Sequence, residues 1–216
     1  MSITCHPTED LLLGYAAGTL DPGEQIALAT HLLACSQCRG FVGAMEHAGG
    51  ALLGALTGEA MTDGALERIT ARLDEAAPVQ TAPPPPSKHL RELGGLPAFV
   101  RRLHTEPWRW VAPGLKIQRL KPAAESPTRV FLLKAKPGIR LLPHGHQEAE
   151  MTCVLTGSFS HDGQRYGPGD FDCGDHASDH EITIGNEGPC ISLVAMRGRL
   201  TLHGFVGRLI QPLIAI

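Results

Sequence analysis

Two groups of residues in this chain have the ligand types and spacings that hold a transition metal. The first is His31, Cys35 and Cys38, in the stretch "HLLACSQC". On a helix, positions four apart share a face, so His31 and Cys35 can point the same way. The Cys-x-x-Cys that follows lets two thiolates grip one ion across a tight turn. A helix starting near Cys35 would set its positive end beside them and favour the thiolate form. Three donors leave a tetrahedral site one short; His6 is the expected fourth ligand, with Cys5 beside it as the competitor. Two histidines and two cysteines around zinc leave no open coordination position, so such a centre is structural and not catalytic. The other readings of the pair are a redox-active Cys-x-x-Cys, which normally lies beside a βαβ pattern that is missing here, and cysteines that only pack.

The second group lies in "GIRLLPHGHQEAEMTCVLTG", which supplies His144, His146 and Glu150. On a strand, residues two apart face the same side, so both imidazoles would point one way. Glu150 keeps that face if the strand continues, and a hairpin could equally return it there. Two histidines and a carboxylate suit zinc, iron, manganese or nickel, so the expected metal is zinc or another divalent transition metal. Further on, "YGPGDFDCGDHASDHEI" offers His176 and His180 as rival fourth ligands.

The elements that must position these groups differ on the two sides of "EAAPVQTAPPPPSKH", whose four consecutive prolines favour an extended tether. Before it the pattern is helical. Thr8, Glu9 and Asp10 suit a helix start and Gly18 a stop. Asp21 and Pro22 open a second helix with Ile26, Ala29 and Leu33 on one face. A third is expected from about Ser36, weakened by Gly49 and Gly50. A fourth, "ALERITARLDEA", aligns Leu66, Ile69 and Leu73. After the tether come short apolar runs punctuated by Gly and Pro, such as "RVFLLKAKPG" and "CISLVAMRG", which suggest an all-β sandwich or jelly roll. The expected fold class is therefore α+β. Its parts are a small zinc-binding helical bundle over residues 1–76, a Pro-rich linker over 77–90 and an all-β metal-binding domain over 91–216.

Composition narrows the function. Residues 1–82 hold ten Asp/Glu against three Lys/Arg, a net charge of −7. That repels phosphate and argues against direct nucleic-acid binding there, while suiting a basic protein partner. No apolar run reaches the roughly 18 residues of a membrane span. The N-terminus has neither a basic nor an apolar leader region, so a cytoplasmic protein with reduced thiols is expected. The six cysteines then read as metal ligands or free thiols, with Cys153 and Cys173 packing as small hydrophobes. Only Tyr15 and Phe41 supply aromatics to the first ~75 residues. A bundle that small needs a staple, and structural zinc can supply on the order of 10 kcal/mol.

The spacing His6-x(24)-His31-x(3)-Cys35-x(2)-Cys38 resembles the zinc-binding anti-sigma pattern of ChrR-type anti-sigma factors. Gly138-x(5)-His144-x-His146-x(3)-Glu150-x(6)-Gly157 resembles the first cupin motif at every position, and Pro168-Gly169-Asp170 resembles the turn of the second. The resemblance makes His180, ten residues after Asp170, the expected last cupin ligand. It departs from the family at Ile184, where an asparagine is usual, and at Ser192, where a second cysteine would follow Cys190. A helical zinc module, a tether and one cupin make up the whole ChrR-like layout. The resemblance implies a regulator, not an enzyme, that sequesters an extracytoplasmic-function (ECF) sigma factor through its N-terminal helices. It would release that partner on an oxidant signal, singlet oxygen or similar, sensed by the cupin. A cupin oxygenase with a zinc-stabilised regulatory domain is the competing reading.

Overall fold

The computed structural model describes residues 3–73, 90, 93, 95–141, 144–146, 148–174, 182–198 and 200–202, with the backbone alone at 144–146 and 200–202. Residues 77–89 of the expected linker lie outside the described residues; Leu90, at its end, is buried.

The local signals at the helix ends act as their chemistry dictates. Helix α1 (Glu9–Ala17) is capped by Thr8, whose hydroxyl accepts the Leu11 N–H, and it ends where Gly18 turns left-handed at φ 69°. Helix α2 (Pro22–Ala34) begins with a reciprocal capping box between Asp21 and Glu24. Cys35 closes α2 and caps α3 (Ser36–Ala55), its thiol accepting the Cys38 N–H at 3.4 Å. Helix α3 runs unbroken through Gly49 and Gly50, and α4 (Ala65–Leu73) follows.

The strands are β1 (His104–Thr105), β2 (Arg109–Ala112), β3 (Leu115–Lys121), β4 (Arg129–Ala135), β5 (His144–His146), β6 (Glu150–Thr156), β7 (Phe159–His161), β8 (Gln164–Tyr166), β9 (Phe171–Gly174), β10 (Ile182–Ile184), β11 (Cys190–Met196) and β12 (Leu200–Leu202). All pair antiparallel. The main sheet runs β1-β3-β4-β11-β6-β9, with β2 also on β3; β10-β7-β8 and β12-β5 form two smaller sheets. Among the described residues, α1 to α4 thus precede a domain of antiparallel strands.

Strand register divides the main sheet into two faces. Leu132, Leu193 and Cys153 align in one row and Val130, Ala195 and Met151 in the next, and this face is covered by helices. Phe131, Val194 and Thr152 align on the other face, where Glu150 and Met196 also lie. The apolar core runs without a break from Leu12, Ile26, Leu28 and Leu32 of the helices to Leu132, Leu193 and Ala195 of the sheet.

Helix α2 is the joint. Of the face expected from sequence, Ile26 is buried and Ala29 half-buried, but Leu33 is 51% exposed, and Ala27, Leu28, Thr30, His31 and Leu32 are buried in addition. The cause is that α2 packs on β11, β6 and β4 as well as on α1 and α3, so two faces are covered at once. Its first turn is tied to the loop before β4. The Ser126 and Thr128 hydroxyls each donate to the Asp21 carboxylate at 2.7 Å, and the Gly23 N–H donates to Ser126 Oγ at 3.1 Å. Burial pushes the Asp21 pKa up, but these two hydroxyls and the N–H groups of Glu24 and Gly23 together outweigh it and hold the carboxyl below its usual value. One expectation fails among the thiols. Cys153 is buried in β6 as a small hydrophobe, but Cys173 on β9 is exposed.

At Gly23 a methyl group would meet the Thr128 carbonyl oxygen at 2.6 Å and Thr128 Cβ at 2.7 Å. Gly23→Ala should therefore lower unfolding stability by about 1–3 kcal/mol in urea titration. Gly40→Ala, on α3 with open space around it, should instead raise stability by about 0.5–1 kcal/mol.

Candidate metal centre

The end of α2 and the start of α3 form a tight corner, and the corner brings together three of the expected ligands. His31 sits in the last turn of α2, Cys35 at the junction and Cys38 in the first turn of α3. His6 enters from the extended segment before α1. One donor atom from each of the four lies within 4.8 Å of every other. His31 Nε2 is 3.3 Å from Cys38 Sγ, and His6 Nδ1 is 3.4 Å from both Cys35 Sγ and Cys38 Sγ. A tetrahedral zinc with ordinary Zn–N and Zn–S bonds requires an N···S edge of about 3.6 Å. These three N···S edges are within a few tenths of an ångström of that value.

Cys5, the competitor of His6, is turned elsewhere. Its thiol is 3.8 Å from the Thr4 hydroxyl and accepts the Gln164 side-chain N–H at 3.4 Å. It does not belong to the cluster of four.

Protonation fits the donor roles. The Gly169 carbonyl can only accept, so His31 Nδ1, 2.8 Å away, carries the proton and Nε2 is left as a lone pair facing Cys38. Burial holds the His31 imidazole below its usual pKa, keeping it neutral as a ligand must be. Burial, then the adjacent Cys35, push the Cys38 thiol up to about 12. Two buried thiolates side by side need a cation, which is what a zinc ion supplies.

The cupin group is assembled in part. Glu150 opens β6 and lies on the face of the sheet away from the helices, where it accepts the Thr152 hydroxyl at 3.2 Å. His144 and His146 lie on β5, a separate strand paired with β12, and Glu150 opens a different strand, β6. His176 and His180 lie outside the described residues. Sequence reasoning missed a polar pair close by. His161 Nδ1 and Asp172 Oδ2 are 3.1 Å apart, and Asp172 stands opposite Thr152 in the register. It also missed the second part played by Asp170. Its place in the Pro-Gly-Asp turn was legible, but not its contacts with residues 4 and 5.

With the geometry in place, comparisons with known proteins carry weight. Residues 5–39 match the family model described as "Putative zinc-finger", and residues 97–198 match the ChrR cupin-like domain. Anti-sigma-E factor ChrR of Cereibacter sphaeroides is 33% identical over 221 aligned residues, covering 100% of each chain. This chain belongs to the ChrR family of anti-sigma factors. The crystal structure of Rhodobacter sphaeroides SigE in complex with the anti-sigma ChrR superposes with a TM-score of 0.73 at 31% identity, covering 90% of this chain and 99% of that one. The ChrR relative is an anti-sigma factor, and with that family shown the oxygenase reading is set aside. No helix among the described residues is long and apolar enough to cross a membrane.

In this ChrR-family chain, Cys38→Ser should abolish tight zinc retention and lower the melting temperature. His6→Ala should cost at least about 10-fold in zinc affinity, and Cys5→Ser should change it less than twofold. Metal analysis of the purified variants, with chelator competition, reads all three.

Proposed function

We propose that this protein sequesters an ECF-type sigma factor in the cytoplasm and so regulates transcription. The observation that carries the proposal is the apolar surface left open on the second half of the helical region. On α3 and just beyond it Leu52 is 73% exposed, and Leu53 and Leu56 are exposed as well. On α4, Leu66, Ile69 and Leu73 form the stripe seen in the sequence, and all are exposed, Leu73 at 77%. Large apolar side chains exposed in such numbers on two neighbouring helices of the sequence mark a protein contact. The −7 charge of residues 1–82 suits a basic partner and adds to the rate of encounter. The solved relative supports the partner class, being a ChrR bound to SigE.

Release is assigned to an oxidant signal, of the singlet-oxygen type, sensed through the cupin domain. His144, His146, Glu150 and His180 are the residues that would hold a zinc or other divalent transition metal there. The signal must favour a state with lower grip on the partner. A 100-fold loss of affinity requires about 2.7 kcal/mol of coupling, within the ordinary allosteric range.

Co-expression with the ECF sigma factors of the same genome should yield a one-to-one complex. Joint replacement Leu52→Asp and Leu56→Asp should weaken capture at least 100-fold while leaving the free protein's melting temperature within a few degrees. Capture unaffected by these changes would refute the surface. Glu150→Ala should bind the sigma factor normally yet fail to release it when singlet oxygen is generated. Wild-type release would rule out this carboxylate as part of the sensor.

A further inference from the structure

The zinc cluster does not stand alone in the helices. One turn of the cupin, Gly167 to Phe171, holds both peptide segments that bring histidines to it. The turn is fixed to the main sheet in both directions, by Gly169 N–H to the Val154 carbonyl at 2.8 Å and Val154 N–H to the Asp170 carbonyl at 3.1 Å. Its Gly169 carbonyl accepts the His31 Nδ1–H. The Phe171 ring meets the His31 imidazole edge-on, with centroids 5.6 Å apart. The Phe171 N–H donates to the Cys5 carbonyl at 3.1 Å. Asp170 supplies the rest. Oδ1 accepts the Thr4 N–H at 2.7 Å, the Cys5 N–H at 2.9 Å and, more weakly, the Thr4 hydroxyl at 3.5 Å. Oδ2 accepts the Gly167 N–H at 2.8 Å.

Asp170 is 5% exposed. A buried carboxylate with three backbone N–H donors forms short, charge-assisted bonds that leave little play in the groups they join. The chain immediately before His6 is thus set by a cupin side chain, and His31 by the adjoining cupin carbonyl. The fit is close: Gly169 has φ 92°, and a methyl group there would meet Ile3 Cδ1 at 2.8 Å and Ala34 Cβ at 3.2 Å.

We infer that Asp170 is a positioning residue for the N-terminal zinc centre, so that the helical region holds its metal more firmly while the cupin's 167–171 turn is docked against it. This deepens the reading above by naming where the cupin can act on the clamp. It rests on the zinc reading of the His/Cys cluster and is independent of capture of a sigma factor. A movement of the turn slackens His6 and His31 together. The two thiolates are then left without their histidine co-ligands, and the corner between α2 and α3 loosens.

The test uses the full chain without any sigma factor, loaded with zinc or, for spectroscopy, with cobalt(II). Zinc release to a chromophoric chelator is timed for wild type, Asp170→Ala, Asp170→Asn and Thr128→Val. Asp170→Ala should release zinc at least about 10-fold faster, the scale on which groups that orient metal ligands act. Asp170→Asn keeps one carbonyl oxygen for the Thr4 and Cys5 N–H groups and should fall between alanine and wild type. Its cobalt d–d bands should shift as His6 loosens. Thr128→Val frees the opposite end of the same interface, at the Asp21 cap, and should stay within twofold of wild type. Wild-type release from Asp170→Ala overturns the inference, as does equal acceleration by Thr128→Val, which would mean general loosening. Should the alanine variant not fold, Asp170→Asn decides: release and cobalt spectrum both unchanged would overturn the assignment.

Discussion

A fully buried imidazole must find a partner for each ring nitrogen or lose the hydrogen bonds that water gave it. His31 is 0% exposed. One nitrogen turns to a backbone carbonyl of the cupin and the other to the His/Cys cluster. The two halves of the molecule therefore meet in one side chain. A solvated histidine at that position could hold zinc without reference to the sheet, because water could satisfy its second nitrogen. In this chain only the sheet can do so, and the metal cluster and the interface share their geometry.

The same logic explains the unusual burial of α2. A helix lying on one surface hides a single stripe, but α2 lies between α1 and α3 on one side and β4, β6 and β11 on the other. Ala27 and Thr30 bring little bulk, which lets the backbone approach the strands, and Thr30 returns its hydroxyl to the Ile26 carbonyl at 2.7 Å and so buries no unpaired polar atom. By contrast, α3 and α4 turn leucines outward in their last turns. The helical region has an inner side packed on the sheet and an outer side that no element among the described residues covers.

Much of this was legible in the sequence because the governing interactions are local. Thr8, Asp21 with Glu24, and Gly18 set helix ends within a turn of themselves, and His31-x(3)-Cys35-x(2)-Cys38 is a spacing within one corner. The cupin glycines and the Pro-Gly-Asp turn were equally plain. What could not be read was any contact between the helical region and the sheet. Asp170 is a turn residue by its neighbours, and nothing in its surroundings indicates that Thr4 and Cys5 will lie against it. The burial of Ala27 and Leu28 in place of Leu33 has the same origin, since helical periodicity records one apolar face and α2 has two. Cys173 looked like core because its strand reads as apolar, but β9 is the edge strand of the main sheet and the thiol is exposed there.

The long separation between α2 and its seat matters for how the chain is born. The ribosome delivers the helices first, while β11, the strand that α2 covers most, emerges only near the end. At about 5–20 residues per second, the sheet-facing side of α2 stays uncovered on the order of ten to thirty seconds. During that interval the nascent polypeptide presents two greasy sides where the finished protein presents one. Chaperones, or an early-arriving partner, would then meet a different molecule from the one that leaves translation.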